Sequence, residues 1–155
     1  MKKPTDLRAF LESRVPSLHK NPENLHVYVD KGTVVSRIGG GLSFEYRYAL
    51  NLIITDFTEH ADALMIPLLI WLSINQPDVL QNPDKQEDAI RMEAEIIDHT
   101  TVDLSITIDL TERVIVSANQ DGGYAATHPD EPALPDLGGP TGWEMLANGI
   151  NINPP

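Results

Sequence analysis

The stretch FEYRYALNLIITDF, residues 44–57, constrains the fold of this chain more than any other. Every second residue over its first eleven positions is aromatic or aliphatic, and Glu45, Arg47 and Asn51 lie between them. A period of two is typical of a β-strand that buries one face. Strands usually contain about 5 to 6 residues, so this pattern predicts an unusually long strand, roughly 46 Å at about 3.3 Å per residue.

A second strand is predicted by VDLSITIDL, residues 102–110, in which apolar and polar residues alternate without exception. The VIVSA segment at 114–118 either continues this strand or adds a further one. Alternation of this kind gives a sheet one face toward the core and one toward water. We therefore expect both long strands to lie in one sheet, with their even-numbered residues facing a helix, because a shift by one residue would expose the whole apolar set.

Helical periodicity predicts two helices. The apolar residues of segment 5–19 share one helical stripe, with a possible kink at Pro16. Segment 58–75 is apolar on most sides and contains Pro67. A helix of that composition is expected to be buried on more than one face.

The remaining predicted strands are shorter. LHVYVD (25–30) and TVVSRI (33–38) flank the dipeptide Lys31-Gly32, which indicates a hairpin. RMEAEIID (91–98) is a weaker strand. Because the strands are grouped instead of alternating with helices, the predicted class is α+β, with a mostly antiparallel sheet of five to six strands and two helices on one face.

The composition changes after residue 118. Residues 119–155 contain six of the 12 prolines, six of the 10 glycines and no Lys or Arg. Such a segment is unlike a packed core, so we predict an α+β domain at 1–118 and an extended, acidic C-terminal arm at 119–155. Near its end, Asn148-Gly149 lies between apolar-alternating flanks, which predicts a terminal β-hairpin.

The charge of the chain excludes several classes of function. It has 11 Lys and Arg against 23 Asp and Glu, a formal net charge of −12. Nucleic-acid readers and proteins of anionic membrane surfaces need clustered cations, so neither partner is expected. The chain has no cysteine, which removes thiolate nucleophiles and Cys-based metal sites. Its longest apolar run, ten residues at 63–72, is too short to span a bilayer.

Two acidic clusters are candidate metal sites, since His and carboxylate suit zinc or manganese. One contains Asp56, Glu59, His60 and Asp62, and the other contains Asp98, His99 and Asp103. Neither has the His-x-x-x-His or Glu-x-x-His spacing that places ligands on one helical face. The favoured interpretation is that the first cluster is a strand-to-helix turn with its acids at the helix N-terminus. No cofactor and no catalytic residue is predicted.

Several segments in order carry a family resemblance. They are TDLRAFLES, NPENLHVYVDKG, LSFEYRYALNLIITDFT, IPLLIWLSINQPD and VDLSITIDLTERVIVS. Their most specific pieces are Ser43-Phe44-Glu45 with Arg47-Tyr48, Thr55-Asp56-Phe57, Trp71 with Asn75-Gln76-Pro77-Asp78, and Leu110-Thr111-Glu112-Arg113. Over about residues 1–118 the chain closely resembles the tail completion protein R (GpR) family of contractile-tailed temperate phages.

The resemblance implies a structural virion morphogenesis protein that completes the tail at its head-proximal end, similar to tail terminators, and prepares it for head joining. A six-fold tail would make a closed hexameric ring the economical arrangement. The implied partners are other copies of the chain, tail tube or sheath proteins, and neck or head-completion proteins. The implied location is the virion tail, with assembly in the host cytoplasm.

Five residues are the predicted contacts of this assembly role. Glu45 and Arg47 lie on the long strand, which can project a pairing edge toward a neighbour. Trp143, Met145 and Ile150 lie in the terminal hairpin segment, where an aromatic side chain on a loose arm suits docking. The alternative functions are a generic bacterial interaction adaptor and, less favoured, a metal-dependent hydrolase using Asp56, Glu59 and His60.

Overall fold

The computed structural model describes residues 1–36, 41–132, 146–147 and 150–151. Within these residues the α-helices are α1 Lys3–Arg14, α2 Pro16–Lys20, α3 Asp62–Asn75, α4 Pro77–Gln81 and α5 Pro83–Gln86. The strands are β1 Leu25–Ser36, β2 Phe44–Phe57, β3 Ile90–Ile96, β4 Val102–Ala118, β5 Tyr124–Thr127, β6 Leu146–Ala147 and β7 Ile150–Asn151. The fold class is α+β, as predicted.

One five-stranded antiparallel sheet organises the described chain. Its order is β1-β2-β4-β3, and β5 pairs with the C-terminal end of β4. The predicted long strand is present in full as the 14 residues of β2. At the other end of the chain, β6 and β7 pair antiparallel on either side of residues 148–149, where the hairpin was predicted.

The core lies between the sheet and helices α1 and α3. Leu50 of β2 is directly opposite Ile108 of β4, and the alternation of the two strands places their even-numbered residues on the same face. These side chains pack against α1 and α3 in one cluster. Leu50 and Ile106 are both 0% exposed, so the expectation that the even-numbered set faces the core is confirmed.

The predicted hairpin at residues 25–38 is wrong, because β1 is one continuous strand. Lys31-Gly32 is not a turn: Val29 pairs with Leu50 and Lys31 pairs with Ala49, which leaves Asp30 as a β-bulge. A bulge adds one residue and reverses which positions face the core. The same reversal of apolar parity accompanies a turn, so the sequence pattern alone suggested two strands.

The helix boundaries also differ from prediction. The helix predicted over 5–19 divides at Val15, whose φ of −104° and ψ of 113° are extended. Pro16 causes this break, since the residue before a proline is pushed out of the helical region and proline donates no N–H. The second predicted helix begins at Asp62 instead of residue 58.

Segment 114–118 continues β4, which is one of the two predicted alternatives. The first part of the predicted arm is more regular than expected, because it contributes β5 to the sheet. All four residues of β5 are exposed, so it lacks the alternating burial on which strand prediction depends.

Candidate assembly surface

The sheet extends past the part that the helices cover. We call residues 31–36 of β1, 44–49 of β2 and 110–118 of β4 the distal half of the sheet. Register places Val34, Tyr46 and Glu112 side by side on its inner face. Val34 is 62% exposed, whereas Glu112 is only 3% exposed. The distal half therefore has a buried carboxylate where the rest of the sheet has aliphatic side chains.

Glu112 holds the N-terminus of α1 against the sheet. Its two carboxylate oxygens accept hydrogen bonds from the backbone N–H of Lys2 at 2.7 Å and of Lys3 at 3.2 Å. The Tyr48 hydroxyl donates a third hydrogen bond to the same carboxylate. The first N–H groups of a helix lack partners inside the helix and carry partial positive charge. A glutamate distant in sequence thus supplies the cap that α1 lacks among its own side chains.

These bonds set the ionisation of the buried pair. Burial alone would raise the pKa of Glu112, but the backbone donors of Lys2 and Lys3 and the Tyr48 hydroxyl outweigh it and hold that pKa below its ordinary value. Burial, together with donation to the Glu112 carboxylate, raises the pKa of Tyr48 far above the usual range. Glu112 is therefore a carboxylate and Tyr48 a neutral phenol at physiological pH.

Gln76, buried at the end of α3, joins this network to the edge of β4. Its Oε1 accepts a hydrogen bond from the backbone N–H of Thr111 at 3.1 Å and another from Lys3 Nζ at 2.7 Å. The last backbone bond between β4 and the β3 region is from Asp109 N–H to the Ala89 oxygen. Gln76 therefore satisfies the strand edge two residues beyond the point where β3 pairing stops.

The first part of the arm also contacts this region. Lys3 Nζ lies 2.8 Å from Glu131 Oε1, and Lys2 Nζ lies 3.5 Å from Asp130 Oδ1. His128 Nδ1 lies 3.4 Å from Glu112 Oε2. Residues 128–131 are thus tied to the N-terminus of the chain, and the polypeptide beyond them begins from a fixed point on the body.

A groove of about 950 Å³ opens on the distal half of the sheet. Its lining includes Lys31, Glu45, Arg47, Asp84, Asp88 and Arg91. Two ion pairs lie along it: Arg47 Nε is 2.5 Å from Glu45 Oε1, and Arg91 Nη2 is 2.9 Å from Asp109 Oδ1. Hydrogen bonding to Asp109 raises the pKa of Arg91 further above its ordinary value. Most residues that line the groove are charged or polar, and Val79 and Leu110, which also line it, are almost fully buried.

Two of the five predicted contact residues lie in this groove. Glu45 and Arg47 are consecutive outward positions of β2, and both line it. Trp143 and Met145 lie outside the described residues. Ile150 begins β7, but its side chain is not described. The roles of all five as contacts stay predictions.

The first acidic cluster serves the strand-to-helix turn. Asp56 has a φ of 54° at a bulge in β2, and its N–H donates to Asp103 Oδ1 at 2.9 Å. Glu59 Oε1 accepts from the backbone N–H of Ser17 at 2.6 Å, which ties the turn to α2. His60 Nδ1 lies 3.1 Å from Asp62 Oδ2 in the first turn of α3.

The second cluster is spread over a turn at the end of β3. Asp98 accepts hydrogen bonds from the backbone N–H and hydroxyl of Thr100 at 2.7 and 2.9 Å, and these bonds lower the pKa of Asp98. No group of three or more His, Cys, Asp or Glu side chains within the described ranges could hold a metal ion.

The comparisons with known proteins identify the family. The family described as P2 phage tail completion protein R (GpR) matches residues 1–132. The chain belongs to this family. It is 40% identical over 136 residues to the tail completion protein R of Escherichia phage P2, which covers 88% of this chain and 87% of that protein. No solved structure matches the chain.

Family membership assigns the chain a structural role in completing a contractile phage tail, where it contacts other tail components. The match reaches residue 132, beyond the boundary near 118 that the sequence resemblance suggested. Residues 128–131, which contact the N-terminus, are therefore inside it. Among the residues that the structure describes, every helix is too short or too polar to cross a membrane.

The structure explains why several separated sequence segments carry the resemblance. Tyr48, Gln76, Thr111 and Glu112 belong to three of the segments quoted above, and they meet in one hydrogen-bonded network around the N-terminus. Sequence reasoning did not single out this network. The available signal was Glu112 itself, a carboxylate in phase with Leu110 and Val114 on an otherwise apolar face.

Proposed function

We propose that this protein completes the tail by closing its head-proximal end as a ring, and that the completed end is then ready for head joining. The observation that supports this is the distal half of the sheet, which projects beyond the helices and is held in place by the Glu112 network. A rigid, charged and partly exposed platform of this kind suits contact with neighbouring subunits. A hexamer would match a six-fold tail.

The groove on the distal half is the proposed contact for a tail protein. Glu45 and Arg47 present a paired charge at its rim, and rim charges mainly steer association and fix the register of a contact. Tail tube or sheath proteins are the proposed occupants on one side of the ring. Neck or head-completion proteins are the proposed partners on the other, with assembly taking place in the host cytoplasm.

The arm beyond residue 132 is proposed to reach a neighbouring subunit or a tail protein. Its start is fixed on the body by the contacts of residues 128–131. Trp143, Met145 and Ile150 are the proposed anchors, and strand pairing of the terminal hairpin would add main-chain hydrogen bonds.

The proposal is tested by removing and restoring the protein. Cells assembling phage that lacks this reading frame are expected to accumulate filled heads and unjoined tails. Purified protein added to the extract should restore infectious particles, and electron microscopy should place it at the head-proximal end of the tail. Joined particles formed at normal yield without the protein, or density for it at the distal tip, would contradict the proposal.

The arm is tested separately by ending the chain at Gly138, which keeps residues 128–131. Thermal unfolding of the body should be almost unchanged, because all the described contacts of the body are retained, while completed tails should be lost. Trp143→Ala should weaken assembly more mildly. Normal particle yield from the truncated chain would show that the arm is not needed for assembly.

A further inference from the structure

Both edges of the sheet are open in the described part of the chain. β1 pairs only with β2, and β3 pairs only with β4. Six of the seven β3 residues are exposed, and so are five of the six residues at 31–36. An exposed edge presents unpaired backbone N–H and C=O groups and is a template for pairing with another chain. Each subunit therefore offers two pairing edges on opposite sides.

The two edges carry unpaired charges of opposite sign on the outer face of the sheet. Glu95 of β3 lies directly opposite Asp103 of β4, and Glu93 lies opposite Ser105. Like charges directly opposite each other destabilise a strand pair, and neither glutamate has an ion-pair partner among the described residues. At the other edge, Lys31 of β1 is exposed and has no such partner either. Arg91, the cation of β3, pairs with Asp109 instead, so Glu93 and Glu95 lack a cation that Lys31 of a neighbouring copy can supply.

The inner faces of the two edges are also matched. Val34 of β1 is 62% exposed and Met92 of β3 is 50% exposed. Both project on the helix side of the sheet, because Val34 pairs with Tyr46 and Met92 pairs with the buried Ile106. Ile96 of β3, in phase with Met92, is 80% exposed. Single exposed apolar residues are common, but exposed apolar residues on both edges, on the same face, are what a continued sheet would bury.

The strand directions permit a head-to-tail contact. The successive pairs along the order β1-β2-β4-β3 are antiparallel, so β1 and β3 run in opposite directions. A second copy placed beside β3 can therefore present its β1 antiparallel to that strand, with the copies staggered along the strands as in a ring whose axis is inclined to them. Such a contact is heterologous, and it forms a ring where the rotation between copies closes.

We propose that neighbouring copies of this chain join by antiparallel pairing of β3 with residues 31–36 of β1. The proposal rests on the ring proposed above and names its interface. In the register that satisfies both faces, Glu95 lies opposite Lys31 and Met92 lies opposite Val34. The residue numbers of the two partners add up to the same total in every pair. Each residue that faces the helix side in one copy therefore lies opposite a residue that faces the helix side in the other.

Disulfide trapping tests the register directly, because the chain contains no cysteine. Directly opposite residues of an antiparallel pair have Cα atoms about 4.5–5.5 Å apart, within the range of a disulfide. Inside one subunit β1 and β3 are three strand spacings apart, roughly 14 Å, which is too far for a bond. A chain carrying Val34→Cys and Met92→Cys should therefore form covalent multimers in extracts that assemble tails.

The control carries Val34→Cys with Ile74→Cys, because Ile74 is on α3 and, like Val34, is 62% exposed. It should give no multimers. A ladder from the first variant that ends at the number of subunits supports the interface. Completed tails that contain the first variant without multimers would overturn it, while leaving the proposed function intact.

Charge exchange provides a second measurement that does not depend on cysteine. Lys31→Glu and Glu95→Lys should each lower the yield of completed tails by roughly tenfold or more, since each replaces attraction by repulsion at every contact of the ring. The double variant should recover most of that yield. A double variant no better than the weaker single one would overturn the register.

Discussion

The two halves of the central sheet are stabilised in different ways, although the same strands run through both. In the helix-covered half, residues 50–54 of β2 and 104–108 of β4 bury aliphatic side chains under α1 and α3. In the distal half, the same inner face carries Tyr48 and Glu112 beside the buried Leu110 and Val114, and a network of hydrogen bonds is added to the apolar packing. One half buries its surface, and the other keeps much of it accessible.

This difference means that folding and assembly depend on different parts of the sheet. Apolar burial contributes most of the free energy of folding, but it leaves no free surface for a partner. The Glu112 network fixes the distal strands through a few directed bonds, so the groove and the two open edges stay exposed. Substitutions in the covered half should therefore unfold the protein, whereas substitutions on the distal surface should affect assembly alone.

The largest expected effect comes from placing a charge in the covered half. Leu50→Asp removes a side chain whose burial contributes about 1.5–3 kcal/mol and leaves an unpaired carboxylate in the core, which costs several kcal/mol more. Because domains are stable by only about 5–15 kcal/mol, we expect insoluble protein on expression. The measurement is the soluble fraction of the expressed chain.

Asn51→Asp is the matched control for that variant. Asn51 is the next residue on β2, faces the outer side of the sheet, and accepts a hydrogen bond from the Thr107 hydroxyl at 2.8 Å. An aspartate keeps this acceptor, so Asn51→Asp should stay soluble. Equal solubility of the two variants would show that the covered half does not determine folding.

The next effect comes from removing the carboxylate that organises the distal half. Glu112→Ala leaves the N–H groups of Lys2 and Lys3 and the Tyr48 hydroxyl without their acceptor. We expect a loss of about 3 kcal/mol, or roughly 10 °C in the unfolding temperature of a chain of this size. Calorimetry should also show a smaller loss, about 1 kcal/mol, for Tyr48→Phe, which removes only one of the three donors.

Acid should weaken the distal half through the same carboxylate. The native pKa of Glu112 is below its ordinary value of 4.5, so at low pH the unfolded chain takes up this proton more readily than the folded one. The contribution of Glu112 to stability is then complete above about pH 4.5 and is lost as the pH falls through the native pKa. Chemical unfolding at pH 7 and pH 4 should show a smaller pH dependence for Glu112→Gln than for the unsubstituted chain.

The exposed Glu23 is the control for the acid experiment, since Glu23→Gln removes a carboxylate outside the network. It should leave the pH dependence nearly unchanged. An identical pH dependence for the unsubstituted chain and Glu112→Gln would show that another group is responsible for acid sensitivity.

The covered half was predictable from the sequence because apolar burial leaves a periodic pattern. The alternations at 44–54 and 102–110 correctly indicated both central strands and their buried faces. The alternation gave a wrong prediction in β1, where the positions that face the core change from odd-numbered to even-numbered within one strand. The bulge at Asp30 was interpreted as the turn of a hairpin, since a turn and a bulge reverse the apolar phase alike.

The distal half was less predictable because its contacts join residues far apart in sequence. Glu112 bonds to Lys2 across 110 positions, and no local period reports such a bond. The same holds for Gln76, whose neighbours in the chain give no sign that its side chain satisfies the edge of β4. The one local sign was a charged residue at an inward position of an apolar alternation.

The smallest expected effect on stability, and the most informative for assembly, is at the rim of the groove. Arg47→Glu breaks the ion pair with Glu45, and exposed pairs contribute only about 0–1 kcal/mol. The unfolding temperature should therefore change little, while the yield of completed tails should fall, because the reversed charge faces the proposed partner. Lys20→Glu makes the same charge change at an exposed position of α2. It should lower neither the unfolding temperature nor the yield of completed tails. A lower unfolding temperature for Arg47→Glu would show that this residue contributes to folding. An unchanged yield of completed tails would show that the groove is not part of the assembly surface.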